Sequence, residues 1–284
     1  MKPIDFDAQF TETLNQWMEE NRGNYRNADE MEAALPEVYA QFLETPADWL
    51  DGKAPGHAFD DVENAGELLE LVKRYIAEEI PVPDPLLERI ADIGDEDALM
   101  ALLKDESADC EARMLSIELL RQLESTAPMV EYIRWQVERN QDEDLLDNAL
   151  ESLRDMGKAV VGPAKIAFRA ADETGKEALL DVLCDYPGDQ EVFDFALSQF
   201  KSTRDKRALY AGYLAKLDDD HALEALLDVA ESDDVSYIDF IEIRSAIERL
   251  GSEAPIRDFS SDPTYKAVHR LQKDRSPFGA DRLN

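Results

Sequence analysis

Positive charge is what this chain most lacks. Its 284 residues hold 30 Lys and Arg against 64 Asp and Glu, which gives a formal net charge of -34. Nucleic acid is bound by Lys and Arg side chains that neutralise phosphates, so this balance argues against nucleic acid and against an anionic membrane. It favours a basic protein or basic peptide as the partner. The alternative is that the charge only keeps the protein soluble.

Long apolar runs and cysteines are also scarce. No segment approaches the roughly 18 consecutive apolar residues that a membrane-spanning helix needs. Asp5 and Asp7 interrupt the first ten residues, where an export signal would be apolar. We therefore expect a cytoplasmic protein, in which Cys110 and Cys184 are reduced thiols.

Residue patterns for catalysis, metals and cofactors are missing. The histidines His57, His221 and His269 stand far apart in the sequence. His221 is expected to be a helix-start residue. The only argument for a catalytic role of His57 is that Asp60 and Asp61 lie nearby in the sequence. Thr174-Gly175-Lys176 lacks the upstream glycine of a phosphate-binding loop, and Asp218-Asp219-Asp220 lacks the alternation of a calcium loop. The sequence predicts no enzyme activity, no cofactor and no metal.

An internal repeat is the strongest positive feature. Residues 89–103 (RIADIGDEDALMALL) return as residues 213–227 (YLAKLDDDHALEALL), 124 positions later, which is four times 31. Helix-ending residues recur between these copies at spacings of 31, 32, 31, 30 and 33, namely Gly94, Ser125, Gly157, Gly188, Asp218 and Gly251. A period of this size indicates a solenoid of stacked helical pairs.

Apolar residues at helical spacing predict five helix pairs. The predicted ranges are 95–104 with 111–124, 127–140 with 143–156, 160–171 with 176–186, 190–200 with 206–217, and 222–231 with 237–250. Outside the repeats, helices are predicted over residues 6–21, 29–43, 65–79 and 263–273. The last ten residues are expected to fray.

Residues Glu143 to Arg169 (EDLLDNALESLRDMGKAVVGPAKIAFR) resemble a HEAT-like repeat of the short bacterial kind. The resemblance extends over residues 84–251, and its helix, Gly-x-x-x-x-x-Pro turn and second helix fit that pattern. It implies an all-α fold, an α-α superhelix whose concave face binds another macromolecule. Residues 1–83 are predicted to form an N-terminal helical cap, with a separate small domain as the alternative, and residues 252–284 a closing helix and tail.

Acidic residues on the second helices are the candidate binding site. Glu118, Glu151, Asp181 and Glu242 occupy comparable positions outside the apolar stripe. Since second helices line the concave face in the family, the resemblance implies a negative groove there. Trp49, in the loop over residues 45–61, either plugs the N-terminal cap or anchors a partner.

Three functions stay open at this point. The first is a scaffold that binds a basic protein or peptide through an acidic concave face. The second is an enzyme of HEAT-like class, resembling bilin lyases or DNA glycosylases, although a glycosylase groove would carry Lys and Arg. The third is a self-associating structural or regulatory subunit, because the sequence leaves the oligomeric state open.

Overall fold

Every regular element in the computed structural model is helical, as the predicted helical spacing requires. The structure describes residues 1–25 and 27–274, and within these ranges it contains sixteen α-helices, short 3-10 turns and no strand. The helices are α1 Phe6–Asn21, α2 Ala28–Glu32, α3 Leu35–Glu44, α4 Ala65–Ala77, α5 Asp84–Ile93, α6 Glu96–Lys104, α7 Cys110–Gln122, α8 Met129–Glu138, α9 Glu143–Asp155, α10 Val161–Ala170, α11 Glu173–Leu183, α12 Gln190–Ser202, α13 Arg207–Leu217, α14 Leu223–Glu231, α15 Tyr237–Arg249 and α16 Pro263–Asp274. The all-α prediction is confirmed.

None of the helices in these ranges is both long and apolar enough to cross a membrane. The chain divides into two compact units. Unit 1 holds residues 1–135 and 139–157, and unit 2 holds residues 136–138 together with the chain from residue 158 onward.

Left-handed residues end many of the helices. Gly94, Gly157, Gly188 and Gly251 all have positive φ, between 60° and 98°. Glycine takes this conformation without a Cβ clash, which is why it closes helix C-termini. Asp218 does the same at φ 54°. Four of the six predicted helix-ending residues are confirmed, namely Gly94, Gly157, Asp218 and Gly251. Gly188 is not one of them, because α11 ends at Leu183 and Gly188 directly precedes Asp189, the N-cap of α12.

Ser125 is the other predicted helix-ending residue that differs. The left-handed residue at this point is its predecessor Glu124, at φ 52°. Ser125 follows it with a buried side chain, whose hydroxyl donates to Glu96 Oε2 at 2.8 Å and accepts from the Ala127 N–H at 3.1 Å. The period locates the turn correctly, and the side-chain bonds of Ser125 explain why a serine stands there.

Aspartates begin many of the helices. Asp95 accepts the Ala98 N–H at 3.0 Å, and Asp109, Asp172 and Asp189 cap α7, α11 and α12 in the same manner. Each such cap stabilises its helix by about 1 kcal/mol, because it satisfies an amide that has no partner in the helix. Asp142, at the corresponding position before α9, makes no side-chain cap bond. Its negative charge still lies at the positive end of the helix dipole.

Unit 1 begins with an aromatic cluster and continues as packed helices. Phe6 of α1 lies against Trp49 and Phe59, and Phe10 lies against Phe42 of α3. Helices α6 and α7 pack together, and α7 also packs against α9. Their shared core is fully buried, and its members include Leu99, Leu103, Ile117, Leu120, Leu145, Ala149 and Leu153.

Residues 29–43 were predicted to form one helix, and this is wrong. The structure has α2 and α3 instead, separated by a turn at Ala33 and Ala34. Pro36, at the second position of α3, is the physical reason, because it has no N–H to donate to the preceding turn. A proline in the first turn of a helix loses no helical hydrogen bond.

Unit 2 shows the same two kinds of helix contact as unit 1, one between consecutive helices and one between alternate helices. Helix α12 packs against α13, and α13 against α15. After α15, the buried ring of Phe259 packs against Tyr237 and Phe240. The predicted closing helix is present as α16, whose first N–H groups are capped by Asp262. The last ten residues, predicted to fray, lie outside the described residues.

Candidate functional site

Asp181, one of the candidate binding residues, is part of a ladder of polar contacts between α11 and α13. Glu177 and Asp181 are four residues apart and so share one face of α11, and Asp185 lies in the turn that follows this helix. Lys206 directly precedes α13. Lys206 pairs with Glu177, the Tyr213 hydroxyl donates to Asp181 Oδ1 at 3.1 Å, and Lys216 Nζ lies 3.0 Å from Asp185 Oδ1. We call these three pairs the α11–α13 ladder. Asp181 is half-buried in it, so at least one of its oxygens is used to join two helices.

The other three acids differ in their surroundings. Glu151 on α9 accepts a hydrogen bond from Arg121 Nη1 of the adjacent helix α7 at 2.7 Å. Glu118, also on α7, is exposed and has no ion pair or hydrogen bond to any residue that the structure describes. Glu118 and Glu151 are the two candidate binding acids in unit 1, and Glu118 is therefore the one whose charge is not offset by a neighbour.

Glu242 lies in an open groove of unit 2. The groove has a volume of about 490 Å³ and runs between α13 and α15. Lys216 and Arg249 line it together with Glu242, and Leu209, a large apolar side chain that is exposed, lies on its wall. This groove presents both signs of charge, with one acid beside two cations.

Trp49 packs inside the N-terminal part of unit 1. Its ring lies edge-on to Phe6, with centroids 5.1 Å apart, and is stacked on Phe42 at 6.4 Å. The side chain is half-buried. One edge of Trp49 also lines a groove of about 490 Å³ that Trp17 helps to form. The ring therefore fills the aromatic cluster and also reaches the surface, and a contact between Trp49 and a partner stays a prediction.

His57 contacts two carboxylates, one of them the Asp60 that the sequence analysis named. Its Nδ1 lies 2.8 Å from Asp60 Oδ2, and its Nε2 lies 3.6 Å from Glu44 Oε2. Both carboxylates raise the pKa of His57, Asp60 more than Glu44. Asp61 is engaged elsewhere, because Lys53 Nζ donates to it at 2.5 Å. The imidazole is exposed and contacts carboxylates at the surface. This arrangement is typical of a surface ion pair.

His221 belongs to the one group of possible metal ligands found in the described part of the chain. Ligand atoms of Asp219, Asp220 and His221 lie within 4.8 Å of one another, and two of the three residues are exposed. Asp219 accepts the His221 backbone N–H at 3.0 Å, which caps the short 3-10 turn before α14. Asp219 and Asp220 raise the pKa of His221. These contacts account for the three residues as a helix start, as the sequence predicts for His221.

The residues that sequence reasoning missed are the partners of the acids. Arg121 precedes Glu151 by 30 positions, Lys206 follows Glu177 by 29, and Tyr213 follows Asp181 by 32. Each separation is within two residues of the 31-residue repeat period, so each acid contacts a residue about one repeat away. The sequence signal for these contacts was therefore an Arg, Lys or Tyr about one repeat period before or after each acid.

Comparison with protein families, with curated proteins and with solved structures finds no match to this chain. The functional argument therefore depends on the chain's own residues.

Proposed function

We propose that this protein is a HEAT-like repeat protein of the cytoplasm that binds a basic protein or basic peptide. The net charge of -34 is the observation that carries the proposal, because it attracts a basic partner at long range and repels nucleic acid. Alternate helices that pack against each other within each unit support the repeat assignment. In such a protein the stacked helical pairs form a superhelix, and the function is binding with no catalytic step.

The exposed acids on the second helices are the proposed contacts. Glu118 and Glu242 are exposed, whereas Glu151 and Asp181 are bonded to neighbouring helices. We therefore expect Glu118 and Glu242 to contribute most to binding a cation. Glu151 and Asp181 would add to the negative potential and keep the helices in place, and Trp49 would offer an apolar contact at one edge.

The direct test uses a defined basic probe. A fluorescent oligolysine is titrated onto the full chain at about 50 and about 300 mM salt, since screening weakens a charge-driven contact. Oligoglutamate of the same length is the probe control. We expect saturable binding of oligolysine at low salt, a large loss at high salt and no binding of oligoglutamate.

Charge-reversal variants then separate a local surface from the overall charge. Glu118→Lys and Glu242→Lys are compared with Asp228→Lys, an exposed acid on the first helix α14. All three variants change the net charge by the same amount. A specific surface predicts that the first two weaken oligolysine binding about tenfold and that Asp228→Lys leaves it nearly unchanged. Equal effects of all three would refute the surface and leave only the solubility role of the charge.

A further inference from the structure

Two of the tryptophans line one open groove in unit 1, which we call the Trp17 groove. It lies between α1, α3 and the loop over residues 45–61, and its volume is about 490 Å³. Trp17, Phe42 and Trp49 supply its aromatic lining. Sites for small ligands have volumes of roughly 300 to 1,000 Å³, so the groove has room for a long side chain.

Both indole rings of the groove are partly accessible. Trp17 and Trp49 are half-buried, whereas the remaining tryptophan, Trp135, is fully buried. Tyr25 lies beside the Trp17 ring, with centroids 5.6 Å apart. No Lys or Arg that the structure describes lies over the ring of Trp17 or of Trp49. Each ring therefore has aromatic surface that no described cation covers.

The charged residues described in the lining of the Trp17 groove are both acids. Glu20 and Asp48 line it, and both are exposed. Glu20 accepts a hydrogen bond from Gln16 Nε2 at 3.1 Å, and neither carboxylate is ion-paired to a described residue. The face of an aromatic ring also carries partial negative charge. The groove is therefore complementary to a cation and repels an anion.

A guanidinium is the cation that suits this lining best. It is planar and more weakly hydrated than the ammonium group of lysine, so it stacks on an aromatic face more readily. The methylene groups of an arginine also pack against apolar surface while its head group stays near water. Unit 1 contains one such contact already, because the Arg113 guanidinium lies 5.3 Å from the ring centroid of Trp135. Arginine is therefore favoured over lysine as the occupant.

We propose that the Trp17 groove binds an arginine side chain of the basic partner. The guanidinium lies against exposed indole surface, and the carboxylates of Glu20 and Asp48 balance its charge. This inference rests on the proposed function for the class of partner. It adds a preference for arginine, which the net charge of the chain does not supply, because lysine and arginine carry the same charge.

The test compares two peptides of equal charge on the full chain. One is the fluorescent oligolysine described above, and the other is the same peptide with one central lysine replaced by arginine. We expect the arginine peptide to bind about fivefold more tightly at about 50 mM salt. Equal affinities would overturn the inference and leave the proposed function standing. Failure of both peptides to bind would overturn the inference together with the proposed function.

Two aromatic variants locate the preference. Trp17→Leu removes an indole from the groove and keeps an apolar side chain of good helix propensity in α1. Phe195→Leu is the control, because Phe195 is a half-buried ring of α12 in unit 2. The inference requires Trp17→Leu to abolish the preference for the arginine peptide and Phe195→Leu to retain it. A preference that survives in folded Trp17→Leu would overturn it. Folding of each variant is checked by circular dichroism.

A pair of charge variants covers the case in which Trp17→Leu fails to fold. Glu20→Gln neutralises a carboxylate of the groove, and Glu19→Gln neutralises the adjacent exposed acid, which does not line the groove. Both variants change the net charge by the same amount. We expect Glu20→Gln to weaken binding of the arginine peptide about threefold more than Glu19→Gln does. Equal effects would show that the overall charge, and not the groove, attracts the arginine, and would overturn the inference.

Discussion

The Tyr213 hydroxyl donates a hydrogen bond to Asp181 Oδ1 at 3.1 Å. The two residues are 32 positions apart in the sequence, and their bond joins α13 to α11. Tyr213 is largely buried, and Asp181 is half-buried. A hydrogen bond to a charged acceptor in such a place stabilises the fold more than an exposed ion pair does. This contact is therefore the rung of the α11–α13 ladder with the greatest expected effect on stability.

A double-mutant cycle measures that effect. Asp181→Ala and Tyr213→Phe, alone and together, are unfolded with urea, and we expect a coupling energy of about 1 to 2 kcal/mol. The control cycle replaces Asp181→Ala with Asp185→Ala, because Asp185, in the turn after α11, pairs with Lys216 of α13 and not with Tyr213. Coupling near zero in the first cycle, or equal coupling in both, would show that the hydroxyl contact is unimportant.

Gly175 provides a second test, of backbone packing in unit 2. A Cβ at this position would lie 3.2 Å from Val137 Cα and 3.2 Å from the Val137 carbonyl oxygen. Both atoms belong to the backbone and cannot move without shifting a helix. Although alanine is favoured over glycine in a helix by about 1 kcal/mol, we expect Gly175→Ala to lower the free energy of unfolding.

The matched control is Gly212, which lies in α13 with nothing within 4 Å of its added Cβ. Gly212→Ala should raise the free energy of unfolding by about 0.5 to 1 kcal/mol, because only the helix propensity changes. Urea unfolding of both variants gives the comparison. The packing argument would be wrong if Gly175→Ala were as stabilising as Gly212→Ala.

The helices of this protein were largely predictable, because their signals are local. Residues 6–21 show the apolar spacing of a helix, and α1 has those bounds. Gly94 and Gly251 mark helix ends since few other residues adopt positive φ at low cost. The prediction failed at Pro36. The apolar spacing continues across this position, although the proline ends one helix and begins the next.

The candidate site was less predictable, because a side chain's partners are set by packing between helices. The spacing of Asp181 and Glu151 placed them outside the apolar stripe, which is equally true of a binding residue and of an interhelix contact. Their partners Tyr213 and Arg121 are about one period away, and only packing shows that the pairs meet. The buried Tyr132 hydroxyl, which makes no hydrogen bond to any described residue, gave no sequence signal either, since only packing shows which polar groups lack a partner.

Cys110 is expected to be an unreactive thiol. Burial, followed by the negative charges of Asp142 and Asp144, raises its pKa. Both of these acids come from the start of α9, and neither is a neighbour of Cys110 in the sequence. Since the thiolate is the reactive form, alkylation by a neutral maleimide at pH 8 should be slower than that of an unfolded control.

The Asp142→Asn, Asp144→Asn double variant tests the cause. It should alkylate faster than wild type at the same pH, because the thiol pKa falls when the two charges are removed. Cys110→Ser identifies the signal, as Cys184 is fully buried and should react only after unfolding. An unchanged rate in the double variant would contradict the electrostatic explanation.

Asp189 is expected to make the stability of unit 2 depend on pH. Burial raises its pKa, but an ion pair with Lys165 Nζ at 3.1 Å and the N–H groups of Glu191 and Val192 outweigh this, so the pKa is lowered overall. A lowered folded-state pKa contributes stability above the unfolded value of about 3.9, and that stability is lost as the pH falls through the folded value. Asp189→Asn keeps a capping oxygen without the charge, and Asp189→Ala removes both.

Urea unfolding of the three proteins at pH 7 and at about pH 2 separates these contributions. At pH 7, Asp189→Ala should lose about 1 kcal/mol for the cap and a further amount for the charge, and Asp189→Asn should lose mainly the charge contribution. As the pH falls through the folded-state pKa, the wild-type carboxyl becomes protonated, so the difference in stability between wild type and Asp189→Asn should be smaller at about pH 2 than at pH 7. A difference between them that is the same at both pH values would mean that Asp189 stabilises α12 without its charge.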